Sequence, residues 1–138
     1  MVRTKGKILQ IVFVFFFGLG MSAVSWAQEV PGPLKTAKSQ KLGAYLVDSK
    51  GMTLYTYDKD KESAKKSACN GACARSWPPF APKTGDPAAK APLSIITRDD
   101  GTKQYAYNGK PLYHYQKDTK SGDTTGQGRG KVWWVVKP

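Results

Sequence analysis

The residues best equipped for chemistry in this chain occur twice. Tyr55, Tyr57 and Asp60 recur as Tyr113, Tyr115 and Asp118, within two stretches, Gly51–Asp60 and Gly109–Asp118, that align at a constant offset of 58. Each copy supplies two phenols and a carboxylate. A phenol within reach of a carboxylate makes a hydrogen-bonding pair, and alternate tyrosines on a strand put their rings on one face. Two roles follow. As structure, the rings fill a core and their hydroxyls need polar partners. As a site, they line a concave face that takes rings or sugars. Repetition within a small fold favours the structural role. A tryptophan follows each copy, Trp77 after Asp60 and Trp134 after Asp118. Trp77, Tyr105, Tyr107, His114, Trp133 and Trp134 form the candidate ligand surface.

Other chemistry is thin. His114 is the only histidine, and it alternates with Tyr113 and Tyr115, so it faces away from them. No His-rich metal site, and no metal or cofactor, is expected. Asp58 with Asp60 and Asp99 with Asp100 are turn-like pairs, without a spacing that marks a glycosidase. Gly126-Gln127-Gly128-Arg129-Gly130 lacks the following helix that a phosphate loop needs and reads as a flexible turn. No catalytic set emerges, so a non-enzymatic binding or accessory module is expected. The alternative is a redox or electron-transfer accessory protein that binds haem or a metal, using His114 or Met52 with the Tyr and Trp surfaces.

The compartment follows from the N-terminus. Arg3, Lys5 and Lys7 precede an apolar run, Ile8–Ala23, and Ser25-Trp26-Ala27 offers small residues where a signal peptidase reads. A signal peptide over residues 1–27, cut before Gln28, is expected; the competing outcome is an uncleaved anchor. Removing it takes three of the 22 Lys and Arg and none of the 10 acids, leaving 111 residues with a net charge of +9. One small domain fits that length. Outside the cytoplasm this charge suits an anionic envelope component or an envelope protein, not nucleic acid. Export also makes a disulfide the default for Cys69 and Cys73. A thioredoxin-type site would have two residues between its cysteines rather than three, and a metal site would have more ligands.

The elements that must hold these residues are short. Residues 28–41, with Pro31, Pro33, Lys35 and Lys38, read as a flexible leader, and the ordered domain is expected over 42–138. Leu42–Val47 and Met52–Tyr57 flank a turn at Asp48–Gly51. Leu93–Thr97, Lys103–Tyr107, Pro111–Gln116 and Val132–Val136 read as further strands, with Asn108-Gly109 as a hairpin turn. The segment that bears the cysteines reads as a short helix or ordered loop. The fold expected is mainly β: one small domain of short antiparallel strands and hairpins, built from two similar halves.

Several of these motifs together resemble a family of small exported bacterial proteins, the secreted repeat family, or predicted lipoproteins with a Tyr-x-(Phe/Trp/Tyr)-x-x-Asp motif. Tyr55–Asp60 and Tyr113–Asp118 both fit. So do Cys69–Ala74 leading to Trp77-Pro78-Pro79, Asn108–Tyr113, and Gly122-Asp123 with Gly126-Gln127-Gly128 before Trp133-Trp134. The resemblance covers residues 42–138 and implies an exported repeat domain without an assigned activity. The first cysteine is Cys69, far from the cleavage point, so the lipid anchor of the family's lipoprotein label is not expected here.

Overall fold

The computed structural model describes residues 30–61 and 65–138. The expected signal peptide and its cleavage point lie outside the described residues.

Two β-hairpins head two similar halves. In the first, β1 (Leu34–Ser39) runs antiparallel to β2 (Gly43–Asp48), with Leu34 opposite Asp48. β3 (Tyr55–Tyr57) follows the Asp48–Gly51 turn, where Asp48 Oδ1 accepts the Lys50 and Met52 N–H groups. A short helix, α1 (Ala72–Ser76), comes next. In the second half, β4 (Leu93–Thr97) pairs antiparallel with β5 (Lys103–Tyr107), with Leu93 opposite Tyr107. β5 turns through Asn108 and Gly109 into β6 (Lys110–Pro111), and β7 (Trp133–Val135) closes the chain. Asn108 and Gly109 both take positive φ, 49° and 77°, as an Asn-Gly hairpin turn requires. The fold is therefore mainly β with small antiparallel sheets, as expected.

Two boundaries differ from the sequence expectation. Residues 34–39, placed in a flexible leader, form a strand. Leu34 is buried while Lys35, Thr36 and Lys38 stay in water. Leu34 and the small Ala37, three residues apart among lysines, give no visible alternation; pairing with β2 makes the strand. The return after Asn108-Gly109 is also shorter than Pro111–Gln116: regular strand covers only Lys110–Pro111, and Tyr113 then pairs singly with Tyr55 and Pro79.

The halves exchange their last strands. In the first half, Leu54 N–H donates to Leu46 C=O, Leu46 N–H to Val136 C=O, and Val136 N–H to Leu54 C=O, a closed ring of three segments. The second half repeats it with Leu112, Tyr105 and Phe80. Val136 lies late in the chain yet completes the first ring, and Phe80 precedes β4 yet completes the second. Leu34, Leu46, Leu54, Phe80, Leu93, Leu112 and Val136 belong to one shared core. Burying each such side chain contributes about 1.5–3 kcal/mol, so neither half closes its core without the other.

Candidate functional site

The tyrosine–aspartate motifs meet at the boundary between the halves. Tyr55 and Tyr113 face each other, each backbone N–H donating to the other's C=O at 2.8 and 2.9 Å. Their side chains then reach across. Tyr55 donates its hydroxyl proton to Asp118 Oδ2 at 2.6 Å, and Tyr113 donates to Asp60 Oδ2 at 2.7 Å. Each phenol is thus satisfied by the other copy's carboxylate. The second carboxylate oxygens organise the following loops: Asp60 Oδ1 accepts the Ala68 N–H at 2.6 Å, and Asp118 Oδ1 accepts the Thr125 N–H at 2.9 Å and hydroxyl at 2.5 Å. All four residues are buried.

Electrostatics match this sealed setting. Burial, reinforced by the neighbouring carboxylates, raises the Tyr55 and Tyr113 hydroxyls far above the ordinary phenol range. Burial also raises the Asp60 carboxyl, opposed by the hydrogen bonds from Tyr113 and Ala68 and by the charge of Arg98. The two phenols therefore keep their protons near neutral pH and act as permanent hydrogen-bond donors.

Tyr57 and Tyr115, the second tyrosines of the motif, depart from the expectation that their hydroxyls are hydrogen-bonded. Neither hydroxyl has a partner among the described residues. Their rings stack instead. Tyr57 lies on Trp133 (centroids 4.2 Å apart), Trp133 on Trp77 (3.8 Å, planes 4° apart), and Trp77 on Tyr115 (4.2 Å). This four-ring column is symmetric about the junction, so the structural counterpart of Trp77 is Trp133, not Trp134. The loop before Trp133 is two residues shorter than the one before Trp77, which hid the equivalence. Gly126 packs against the column; a Cβ there would lie 2.8 Å from Tyr55 Cζ and 2.9 Å from Trp77 Cη2. That close approach, rather than a flexible turn, accounts for glycine at this position.

The candidate ligand surface does not form one face. Trp77, Tyr105, Tyr107 and Trp133 are buried. Tyr105 lies in the other core with its hydroxyl on Asp86, and burial with that carboxylate pushes it up to about 12. Only Trp134 is well exposed, its Nε1 donating to Asp58 Oδ2 at 2.8 Å. His114 does face away from its tyrosine neighbours' stack, and its Nε2 lies 3.0 Å from Asp48 Oδ2, the carboxylate that also takes the Met52 N–H. His114 and Met52 are thus brought to one carboxylate. Among the described residues no group of three His, Cys, Asp or Glu could hold a metal ion.

Cys69 and Cys73 are bonded, with Cα atoms 5.2 Å apart, and Cys69 packs in the core beside Trp77. Buried Arg98, which sequence reasoning missed, clamps this loop: its guanidinium donates to Cys69 C=O and Gln104 Oε1 at 2.7 Å and to Asn70 Oδ1 at 3.1 Å. A lone arginine before an Asp-Asp-Gly turn carries no signal of that role. Also missed was a groove of about 310 Å³ at the Tyr115 end of the column, bordered by Lys117 and Arg129.

The two copies of the hairpin, motif and crossing strand coincide with two matches to one family model, at residues 36–81 and 94–137, described as a secreted repeat of unknown function. The chain belongs to that secreted-repeat family. No curated protein and no solved structure matches it. Each matched repeat runs from the first strand of a hairpin to just past the strand it lends to the other half. The family is secreted, and no helix among the described residues is long and apolar enough to cross a membrane.

Proposed function

We propose that this secreted-repeat protein is a non-enzymatic binding or accessory module of the cell envelope whose partner is an anionic envelope component. The observation that carries the reading is how the chain divides its charges. Asp48, Asp60 and Asp118 are buried in structural hydrogen bonds, whereas every lysine among the described residues is exposed. The outer surface is therefore more positive than the net charge of the chain from Gln28 suggests. Exposed cations act over about 8–10 Å at physiological salt, which suits recognition of a charged polymer or surface. The repeated tyrosines and aspartates support this reading by being occupied with one another, so the motif serves the fold and leaves the surface for the partner.

Two measurements test it. Mass spectrometry of the envelope fraction should find a chain starting at Gln28; an intact Met1 in the membrane fraction would replace the exported domain with an anchored one. The purified chain should be retained on a polyuronate column and on vesicles containing phosphatidylglycerol more than on neutral counterparts, with retention falling as salt rises. Equal retention on charged and neutral supports refutes the anionic partner.

A further inference from the structure

The groove at the Tyr115 end of the aromatic column brings aromatic rings, hydrogen-bond donors and positive charge together, with no carboxylate in its lining. Trp77, Trp133 and Tyr115 form its aromatic wall, and Gln116, Lys117 and Arg129 border it. Its volume, about 310 Å³, is at the small end of the range for ligand pockets.

Three features point to an occupant. The indole nitrogens of Trp77 and Trp133 have no hydrogen-bond partner among the described residues, and neither is sealed from solvent. Tyr115 likewise has an unpartnered hydroxyl. Arg129 is preorganised: its Nε donates to Thr125 C=O at 3.2 Å and its guanidinium carbon sits 5.6 Å from the centre of the Tyr115 ring. These contacts fix the plane of the guanidinium while both terminal nitrogens stay free of protein partners. A fixed arginine fork matches a carboxylate with two parallel N–H···O bonds, and less conformational freedom is lost on binding. Lys117, also unpartnered, adds a second positive charge.

We infer that this groove binds a small carboxylate-bearing ligand, with the carboxylate on Arg129 and Lys117 and the body of the ligand against the edges that the otherwise buried rings of Trp77, Trp133 and Tyr115 present to the groove. The inference deepens the anionic-partner reading by giving it a site. The same carboxylate chemistry is offered by a uronic-acid sugar and by the C-terminus of a short peptide.

The test is a titration of the chain from Gln28, followed through its three indole N–H signals by nuclear magnetic resonance. The probes are D-glucuronate, acetyl-D-alanyl-D-alanine, D-glucose and glycerol 3-phosphate. Glucuronate or the dipeptide should shift the Trp77 and Trp133 signals and leave Trp134, which is held by Asp58, in place; the tighter of the two names the source. Glucose should shift none. Arg129→Gln should weaken binding roughly 10- to 100-fold with an unchanged melting temperature, and Arg129→Lys should restore only part of it. The assignment is overturned if no probe moves the two signals, if glucose matches glucuronate, if the phosphate binds tightest, or if a folded Arg129→Gln binds as well as the parent. Retention of the parent and of Arg129→Gln alike on polyuronate would remove the groove and keep the broader reading. Glucuronate binding through Arg129 without any polyanion retention would do the reverse.

Discussion

The crossed Tyr–Asp pairs look equivalent, but their surroundings assign them unequal consequences on substitution. At Asp118 both carboxylate oxygens are needed as acceptors: Oδ2 takes the Tyr55 hydroxyl, and Oδ1 takes the Thr125 N–H and hydroxyl. Tyr55 Oη already accepts the Gly126 N–H at 3.2 Å. In Asp118→Asn, an amide oriented with its oxygen on Thr125 points its NH₂ at Tyr55 and leaves the phenolic proton without an acceptor. The flipped amide confronts the Thr125 N–H instead. Either way one buried donor is orphaned, at a cost of about 1–3 kcal/mol. At Asp60 the amide finds a solution. Its oxygen keeps the Ala68 N–H, its NH₂ donates to Tyr113 Oη, and the Tyr113 proton turns to Ser67 Oγ, 2.6 Å away. Ser67 in turn donates to Cys69 C=O. No donor is lost, and a charge that burial disfavours is removed. Asp60→Asn should therefore cost less than about 1 kcal/mol. For a domain this small each kcal/mol moves the melting temperature by roughly 4–8 °C. Calorimetry at pH 7 should show Asp118→Asn melting roughly 4–24 °C lower and Asp60→Asn within about 8 °C of the parent. An equal or larger loss in Asp60→Asn would refute the donor accounting.

The remaining expectations use the same geometry. Because burial raises the Asp60 carboxyl, its stabilising contribution is complete below the ordinary value of 3.8 and is lost as pH rises through the raised one; Asp60→Asn should gain on the parent between acid and neutral pH, and a constant difference in melting temperature would contradict this. Cys69→Ser, opening a very short loop, should lower stability by about 2 kcal/mol, read from urea midpoints; an unchanged midpoint would show the bond to be dispensable to the fold. Gly126→Ala should cost roughly 1–3 kcal/mol, since its Cβ would press on Tyr55 and Trp77; parent-like melting would mean the column yields. Residues 28–91 alone lack Val136 and Asp118 and should show no cooperative melt by circular dichroism; a sharp transition in that fragment would argue against strand exchange.

Much of the fold was legible because it is written in local signals. Asn108-Gly109 needs two positive φ values, the tyrosines alternate, and the constant offset of 58 announces two halves. What was not legible depends on partners remote in sequence. β1 carries one fully buried apolar residue, Leu34, with only the small Ala37 packed on the other core, and is a strand because β2 lies beside it. The equivalence of Trp77 with Trp133 was hidden by loops of unequal length, and the fixed position of Gly126 by the fact that nothing in a glycine names the ring above it. The candidate ligand surface failed for a related reason: hydrophobic pattern marks a ring as large and apolar but does not say which side of the sheet meets the second core. Arg98 and Arg129 illustrate the limit for charge. One is buried on carbonyls, the other is held over a tyrosine with its fork free, and their local sequences distinguish neither.

The exchange of strands and the crossing of hydrogen bonds have one consequence for where function can reside. A phenol that must find its carboxylate in the other copy is satisfied only when both halves are present, so the repeated residues are committed to assembly. The unrepeated segments share that duty only where they bond to the motif, through Ser67, Ala68, Thr125 and Gly126. Between Asp60 and Trp77 the chain carries lysines, the disulfide and α1, clamped by Arg98; between Asp118 and Trp133 it carries a glycine-rich loop that approaches the aromatic rings and presents Arg129. The two insertions differ in sequence and pack differently: one brings a disulfide into the aromatic core, the other sets Arg129 over Tyr115. Symmetry makes the column; the break in symmetry leaves Trp77, Trp133 and Tyr115 edged by unpartnered donors at one end. Substitutions in the motif, and at Gly126 which packs on its rings, should therefore register as stability, and substitution of Arg129 as binding.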